Sequence, residues 1–273
     1  MPPVTRLVPP VSKVVPAAAG RLALDGGAVD MALSGGLALS GCHEIYGSAA
    51  TPLALMLALA SLRAGPILWL ADRRGDTGRL YGAGLAELGG DPGRLWLVNM
   101  AGVGGGALPM LRAAAEAQRC AALACLVIEA GSAAAVDLTV TRRLQLAAAA
   151  SGVFTLLLRA GPPRPSAALT RWQARAAPAR RLAGNAPGPP RLALTLERQR
   201  GGPADISFVV EWDRDRRRFL PACDVVNQPI PIGAAFGRPG TVGRAPPVGR
   251  VPAVAAGRTP RPAAGIEGTW RAA

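Results

Sequence analysis

Apolar positions between Leu22 and Ala160 fall into two alternating kinds of run. The first kind is short and nearly unbroken: "CHEIYG" (42–47), "PILWLAD" (66–72), "RLWLVNM" (94–100), "ALACLVIEA" (122–130) and "GVFTLLLR" (152–159). The second kind is longer, Ala/Leu-rich and sprinkled with polar residues: "LALMLALASLRAG", "RLYGAGLAELGG", "LPMLRAAAEAQRC" and "LTVTRRLQLAAAASG". Several of these end in glycine, as helices do where the chain must turn left-handed to leave. Continuous apolar strands separated by helices predict a parallel sheet covered on both faces. Right-handed crossovers then give a doubly wound, three-layer α/β domain.

Beyond Arg159 the pattern changes. "AGPPRPSAALTRWQARAAPARRLAGNAPGPP" reads as loop, with one short strand around Leu169 to Ala174. "RLALTLERQR", Gly201-Gly202 and "DISFVVEWDRDRRRF" then read as antiparallel strands joined by a turn or short loop. The organisation expected is a flexible segment over 1–20, a core domain over 21–222 and a disordered tail over 223–273. The tail is rich in Pro, Gly, Ala and Arg, and holds six arginines against two acidic residues. It cannot bury enough apolar surface to fold alone.

Composition refines this picture in two ways. Half of the 273 residues are hydrophobic and only 4% aromatic, so the core is built chiefly from Ala, Leu and Val. Net charge is +14, which suits nucleic acid or acidic protein surfaces, and Lys13 is the only lysine among the basic residues. The uncharged span Ile45 to Leu62 approaches membrane-spanning length, but Gly47, Ser48, Thr51 and Pro52 near its start favour a strand, turn and buried helix. The proline-broken start lacks the apolar run of a signal peptide. A cytoplasmic protein with no membrane association is expected.

Candidate chemistry is sparse. Cys42, Cys120, Cys125 and Cys223 follow no metal-ligand spacing, and the sole histidine, His43, cannot complete a site. Reduced core thiols are expected. With His43 alone, and that next to a predicted buried strand, a Ser-His-Asp or Cys-His catalytic set is not expected. "GVGGGALPM" (102–110) is glycine-rich but lacks the G-x-G-x-x-G strand–helix setting of a dinucleotide site. Asp72, Asp76 and Asp91 are spread over loops.

One stretch does carry a resemblance. "RLALDGGAVDMALSGGLALSGCHEIYGSAATPLAL" is similar to the start of the RecA ATPase core, where a lead-in reaches an "EIYG" strand followed by a phosphate loop and its helix. "ILWLADRRGDTGRLYGAGLAELGGDPGRLWLV" continues that order, and "HEIYG", "DLTVTRRLQLAAAASGVFTLLLR", "SAALTRWQARAAP" and "LTLERQRGG…FVVEW" most resemble the ImuA family of that superfamily. The likeness spans about residues 21 to 220. It implies a RecA-like three-layer domain: a mostly parallel twisted sheet, helices on both faces and an antiparallel C-terminal strand pair.

A phosphate loop needs curled backbone N–H groups, a lysine and a Mg²⁺-binding hydroxyl. An ungapped match from Gly47 puts Pro52 at the second glycine, Leu53 at the lysine and Ala54 at the hydroxyl. Proline also removes an N–H where the cradle needs donors. The water-activating acid after the next strand is matched by Arg73, beside Asp72. The Walker B-like strand keeps Glu129, for which a structural role is the default. The resemblance therefore implies no ATP hydrolysis, no tight ATP binding and no cofactor.

The two places corresponding to RecA's DNA loops, "AGSAAAV" and "AGPPRPS", are short and lack aromatics for stacking. Candidate partner or DNA contacts are Arg142 and Arg143 on a helix, Arg171 and Trp172, and Arg198 and Arg200 before the double glycine; the basic tail is a further DNA contact. The family implies a non-enzymatic accessory role in SOS mutagenesis and translesion synthesis. Its partners would be an ImuB-like protein, an error-prone DNA polymerase and RecA. A RecA/RadA-type recombination ATPase and a SulA-like division inhibitor are the alternatives.

Overall fold

A computed structural model describes residues 20–222, apart from 25–26, 73–79, 102, 104–107, 131–135 and 161–163. The tail and nearly all of the N-terminal segment, Arg73, Asp76 and Cys223 lie outside the described residues. Five expected strands form: β3 (Gly41–Tyr46), β4 (Ile67–Ala71), β5 (Leu95–Asn99), β6 (Cys125–Ala130) and β7 (Phe154–Arg159). They alternate with helices α2 (Ala50–Ala60), α3 (Gly82–Glu87), α4 (Leu108–Ala117) and α5 (Leu138–Ser151). Ahead of them, β1 (Arg21–Leu22) and β2 (Leu37–Ala38) pair as a small ribbon around α1 (Ala28–Ala32), an element too short to show in the sequence pattern.

The C-terminal half adds β8 (Thr170–Ala177), β9 (Arg191–Gln199), β10 (Ile206–Asp213) and β11 (Arg218–Pro221). All nine long strands join one sheet in the order β11-β10-β9-β8-β3-β7-β6-β4-β5. The half from β8 to β5 is parallel, and β8 to β11 pair antiparallel. The architecture is therefore the expected α/β class: a mostly parallel sheet, helices on both faces and an antiparallel C-terminal extension. Strand β8 is longer than the segment expected inside the proline-rich stretch, and it joins the two halves by pairing with β3 on one side and β9 on the other.

Side-chain alternation divides the core in two. Trp69, Val127, Leu156 and Ile45 face the layer holding α2 and α3. Leu70, Leu126, Ile128 and Leu157, one residue out of phase, face α4 and α5. Strand β5 departs from the expected double burial: as the sheet's edge it leaves Trp96, Leu97 and Val98 exposed. At the far end the β10–β11 hairpin is tied back to α3, since the Trp212 indole donates to the Leu88 carbonyl (3.0 Å) and stacks edge-on against Phe219.

Candidate functional site

Strand β3 runs into Gly47, where the chain turns with φ +106°, a left-handed conformation that glycine adopts without strain. A Cβ there would run into the carbonyl oxygen of Ala174 on β8. Two of the donors that follow are consumed within the protein. The Ala49 N–H bonds the Ala174 carbonyl (3.1 Å), and the Ala50 N–H bonds the Gly47 carbonyl (3.2 Å). Helix α2 begins at Ala50, so Thr51 and Pro52 lie in its first turn. Proline fits there because first-turn N–H groups have no partner inside the helix.

Leu53 is 1% exposed and Ala54 is fully buried. Nine of the eleven α2 residues are buried and none is charged. The strand–glycine–helix frame is present, but its turn is drawn against β8 and its helix is an all-round core element. Glu129, on β6, faces this same layer. Its carboxylate accepts the Trp69 indole N–H at 2.8 Å. Among the described residues no group of three His, Cys, Asp or Glu is placed to hold a metal.

His43 is fully buried in this layer as the centre of a hydrogen-bonded chain. The Trp172 indole donates to Thr170 Oγ1 (2.7 Å), Thr170 Oγ1 meets His43 Nδ1 (2.7 Å), and His43 Nε2 reaches the Ala38 carbonyl (2.8 Å). A carbonyl only accepts, so Nε2 carries the proton and Nδ1 accepts from the threonine hydroxyl. Burial pushes the imidazole down to about 4, against a smaller upward pull from the Ala38 carbonyl. Cys42 and Cys125 are buried and Cys120 is exposed. Burial, with the Glu44 carboxylate nearby, pushes the Cys42 thiol up to about 12, so it does not act as a thiolate.

The opposite face is polar beneath α5. Asp137 caps this helix by accepting the Val140 N–H (2.8 Å), and Gly152, at φ 75°, ends it. Under its N-terminal end, Glu44 is 1% exposed and sits between two arginines. Arg159 Nη1 lies 3.1 Å from Oε1, an ion pair whose angles do not make a hydrogen bond; Arg171 reaches Oε2 at 3.3 Å. Arg159 also donates to the Val136 carbonyl (2.8 Å), and Arg171 to that of Arg164. Sequence reasoning missed this cluster, because Glu44 reads as part of the "EIYG" strand and Arg159 as a strand end.

The six contact candidates separate here. Trp172 is corrected to a core residue: alternation along β8 turns Thr170, Trp172 and Ala174 inward, and the indole packs edge-on against Phe208. Arg171 faces the other way but is engaged by Glu44. Arg143 is exposed on α5. Arg142, Arg198 and Arg200, far apart in sequence, line one cavity of about 530 Å³ together with Leu138, Gln145 and Leu146. Much of the remaining positive charge serves the fold. Arg21 donates to the Leu33 and Gly36 carbonyls, Arg63 to Gly152, Arg94 to Gly65, and Arg191 pairs with Glu211 at 2.8 Å.

The sheet and its two layers define a mostly parallel three-layer α/β protein whose would-be phosphate turn is closed on its own backbone. Protein ImuA from two strains of Caulobacter vibrioides is 35% identical to it over 200 residues, covering 62% of this chain and 73% of theirs. The chain belongs to the ImuA family. A crystal structure of the RadB recombinase is similar at 16% identity with a TM-score of 0.48, over 71% of this chain and 96% of its own. No family profile matches the chain. No helix among the described residues is long and apolar enough to cross a membrane.

Proposed function

We propose that this protein is a non-enzymatic accessory factor of SOS-induced mutagenesis. It acts through protein contacts with an ImuB-like protein, an error-prone polymerase and RecA during synthesis past lesions. Membership of the ImuA family supports the pathway. The observation that carries the non-enzymatic part is the closed turn. Its N–H groups at Ala49 and Ala50 are bonded within the protein, and Leu53 and Ala54 put buried apolar volume where a nucleotide's charge would need a lysine and a hydroxyl. Losing both removes the main stabilisation of a transferring phosphoryl group. A RecA-type core stripped of this chemistry offers surfaces instead, able to occupy RecA or tether a polymerase to it.

Three measurements test the reading. Deleting the gene should lower damage-induced mutation frequency, and the purified full chain should capture RecA and an ImuB-like protein while leaving the division protein FtsZ unbound. Mg²⁺-ATP titrated calorimetrically should give no binding heat. Saturable ATP binding that Glu129→Gln weakens would overturn the non-enzymatic assignment, and an unchanged mutation frequency would overturn the pathway.

A further inference from the structure

We propose that the groove between α5 and the end of β9 is a docking site for an extended acidic peptide segment carrying leucine-sized side chains. The inference rests on the groove's own chemistry and would stand if the mutagenesis reading failed. Leu138, Arg142 and Leu146 fall four residues apart on α5 and so form one stripe along its outer face. The two leucines are 51% and 60% exposed, whereas Leu144 and Ala148 on the helix's inner face are buried. The opposite wall comes from Arg198 at the end of β9 and Arg200 in the turn beyond it, and the buried Ser166 and Ala167 also line the cavity.

The arginines are prepared for a carboxylate. Arg198 donates to the Ala168 carbonyl (3.2 Å) and Arg200 to that of Ala167 (3.1 Å), so each is oriented by a single backbone contact. A guanidinium has five N–H donors, and most of them stay available. None of Arg142, Arg198 and Arg200 is ion-paired with a carboxylate among the described residues. The nearest acids in sequence are engaged elsewhere: Asp137 accepts the Val140 N–H as the helix cap, and Glu197, next to Arg198, accepts the Tyr46 hydroxyl.

Charge and shape select the occupant. The chain's own ends are basic: Arg6 and Lys13 precede the core with no acid, and the tail holds six arginines against two acids. A second copy brings another +14 charges. Both would be repelled. Nucleic acid would satisfy the arginines, but no aromatic side chain lines the groove to stack a base, and two exposed leucines would gain nothing from phosphate. Leu138 and Leu146 lie about 12 Å apart along the helix. An extended peptide covers that distance in about four residues, with alternate side chains on one face. Apolar residues four positions apart would meet both leucines while acidic residues between them face the arginines.

The test uses the full chain and a fluorescein-labelled, glutamate-rich peptide of about twelve residues with leucines four positions apart. Its comparators are the same peptide with serine replacing leucine and a single-stranded oligonucleotide of equal charge. Fluorescence anisotropy should show the leucine peptide binding about tenfold tighter than the serine peptide. Leu146→Ser should abolish that difference, and Arg142→Glu should weaken the leucine peptide about tenfold. The Arg142 side chain makes no hydrogen bond or ion pair among the described residues, so this variant should melt with the parent; Arg198→Glu serves as a second charge reversal. Equal binding of the two peptides, or an oligonucleotide that binds tighter and ignores Leu146→Ser, would overturn the proposal in favour of a general anion surface.

Discussion

Helices α2 and α5 each follow a strand of the same parallel sheet, yet they have opposite chemistry. α2 is uncharged, buried on nine of eleven residues, and enters from a turn whose Ala49 and Ala50 N–H groups bond the protein itself. α5 has four buried residues in fourteen, an aspartate cap, two exposed arginines and two exposed leucines. On the first side the polar groups are consumed and water is excluded. On the second, a buried carboxylate is compensated inside and cations stand open outside. The contrast teaches where recognition can occur: on the first side apolar side chains fill a core, and across the sheet exposed arginines stand beside exposed leucines.

The most severe way to break this contrast is to put charge back into α2. Leu53→Lys restores the residue type that a phosphate loop requires, but at a site 1% exposed on a helix without a charged residue. An unpaired buried ammonium should cost about 5 kcal/mol or more. The variant should be largely unfolded by circular dichroism, with no gain of ATP binding. A stable Leu53→Lys protein that binds Mg²⁺-ATP would mean that the turn reopens readily, and the account of a closed site would be wrong.

The second prediction strikes the other face. Glu44→Gln keeps shape but leaves Arg159 and Arg171 facing each other without their shared carboxylate. Breaking a buried ion pair from one side costs about 3–5 kcal/mol, because a charge stays buried and uncompensated. Urea denaturation should show a midpoint shifted down accordingly. A shift comparable to that of an exposed pair such as Arg119–Glu116, worth about 0–1 kcal/mol, would show that Glu44 neutralises nothing that matters.

Much of this was legible in the sequence, and unevenly so. The five core strands and the helices between them stood out because double burial leaves continuous apolar runs. The Gly47-to-Ala54 departure was readable residue by residue, since a phosphate cradle has an exact list of donors. Its closure was not, because the carbonyl that takes the Ala49 N–H belongs to Ala174, more than a hundred residues away. The groove escaped for the same reason: Arg142 and Arg200 meet only once β8 and β9 have joined the sheet. Arg171 and Trp172 cannot both be surface contacts, since neighbours on a strand face opposite ways, and it is the tryptophan that turns inward with Thr170 and Ala174. Strand β8 itself was under-read because proline on both sides makes its surroundings look like loop.

The smallest effect concerns His43, buried deep in the α2 layer. His43 is neutral in the fold, held down to about 4 by burial, whereas in the unfolded chain it titrates near 6.5. Between those values the unfolded chain binds one more proton, so stability is fully present above about pH 6.5 and falls as pH drops toward 4. The whole span amounts to about 3 kcal/mol at most, and below pH 4 this contribution is flat. Denaturation midpoints measured from pH 7.5 down to 4 should show that slope. His43→Asn, which cannot titrate, should start less stable, having lost the Thr170–Ala38 link, but run flatter across the window. Parallel curves for parent and variant would place the acid sensitivity elsewhere. A flattened curve would establish that the buried, neutral His43 is the source of the acid sensitivity.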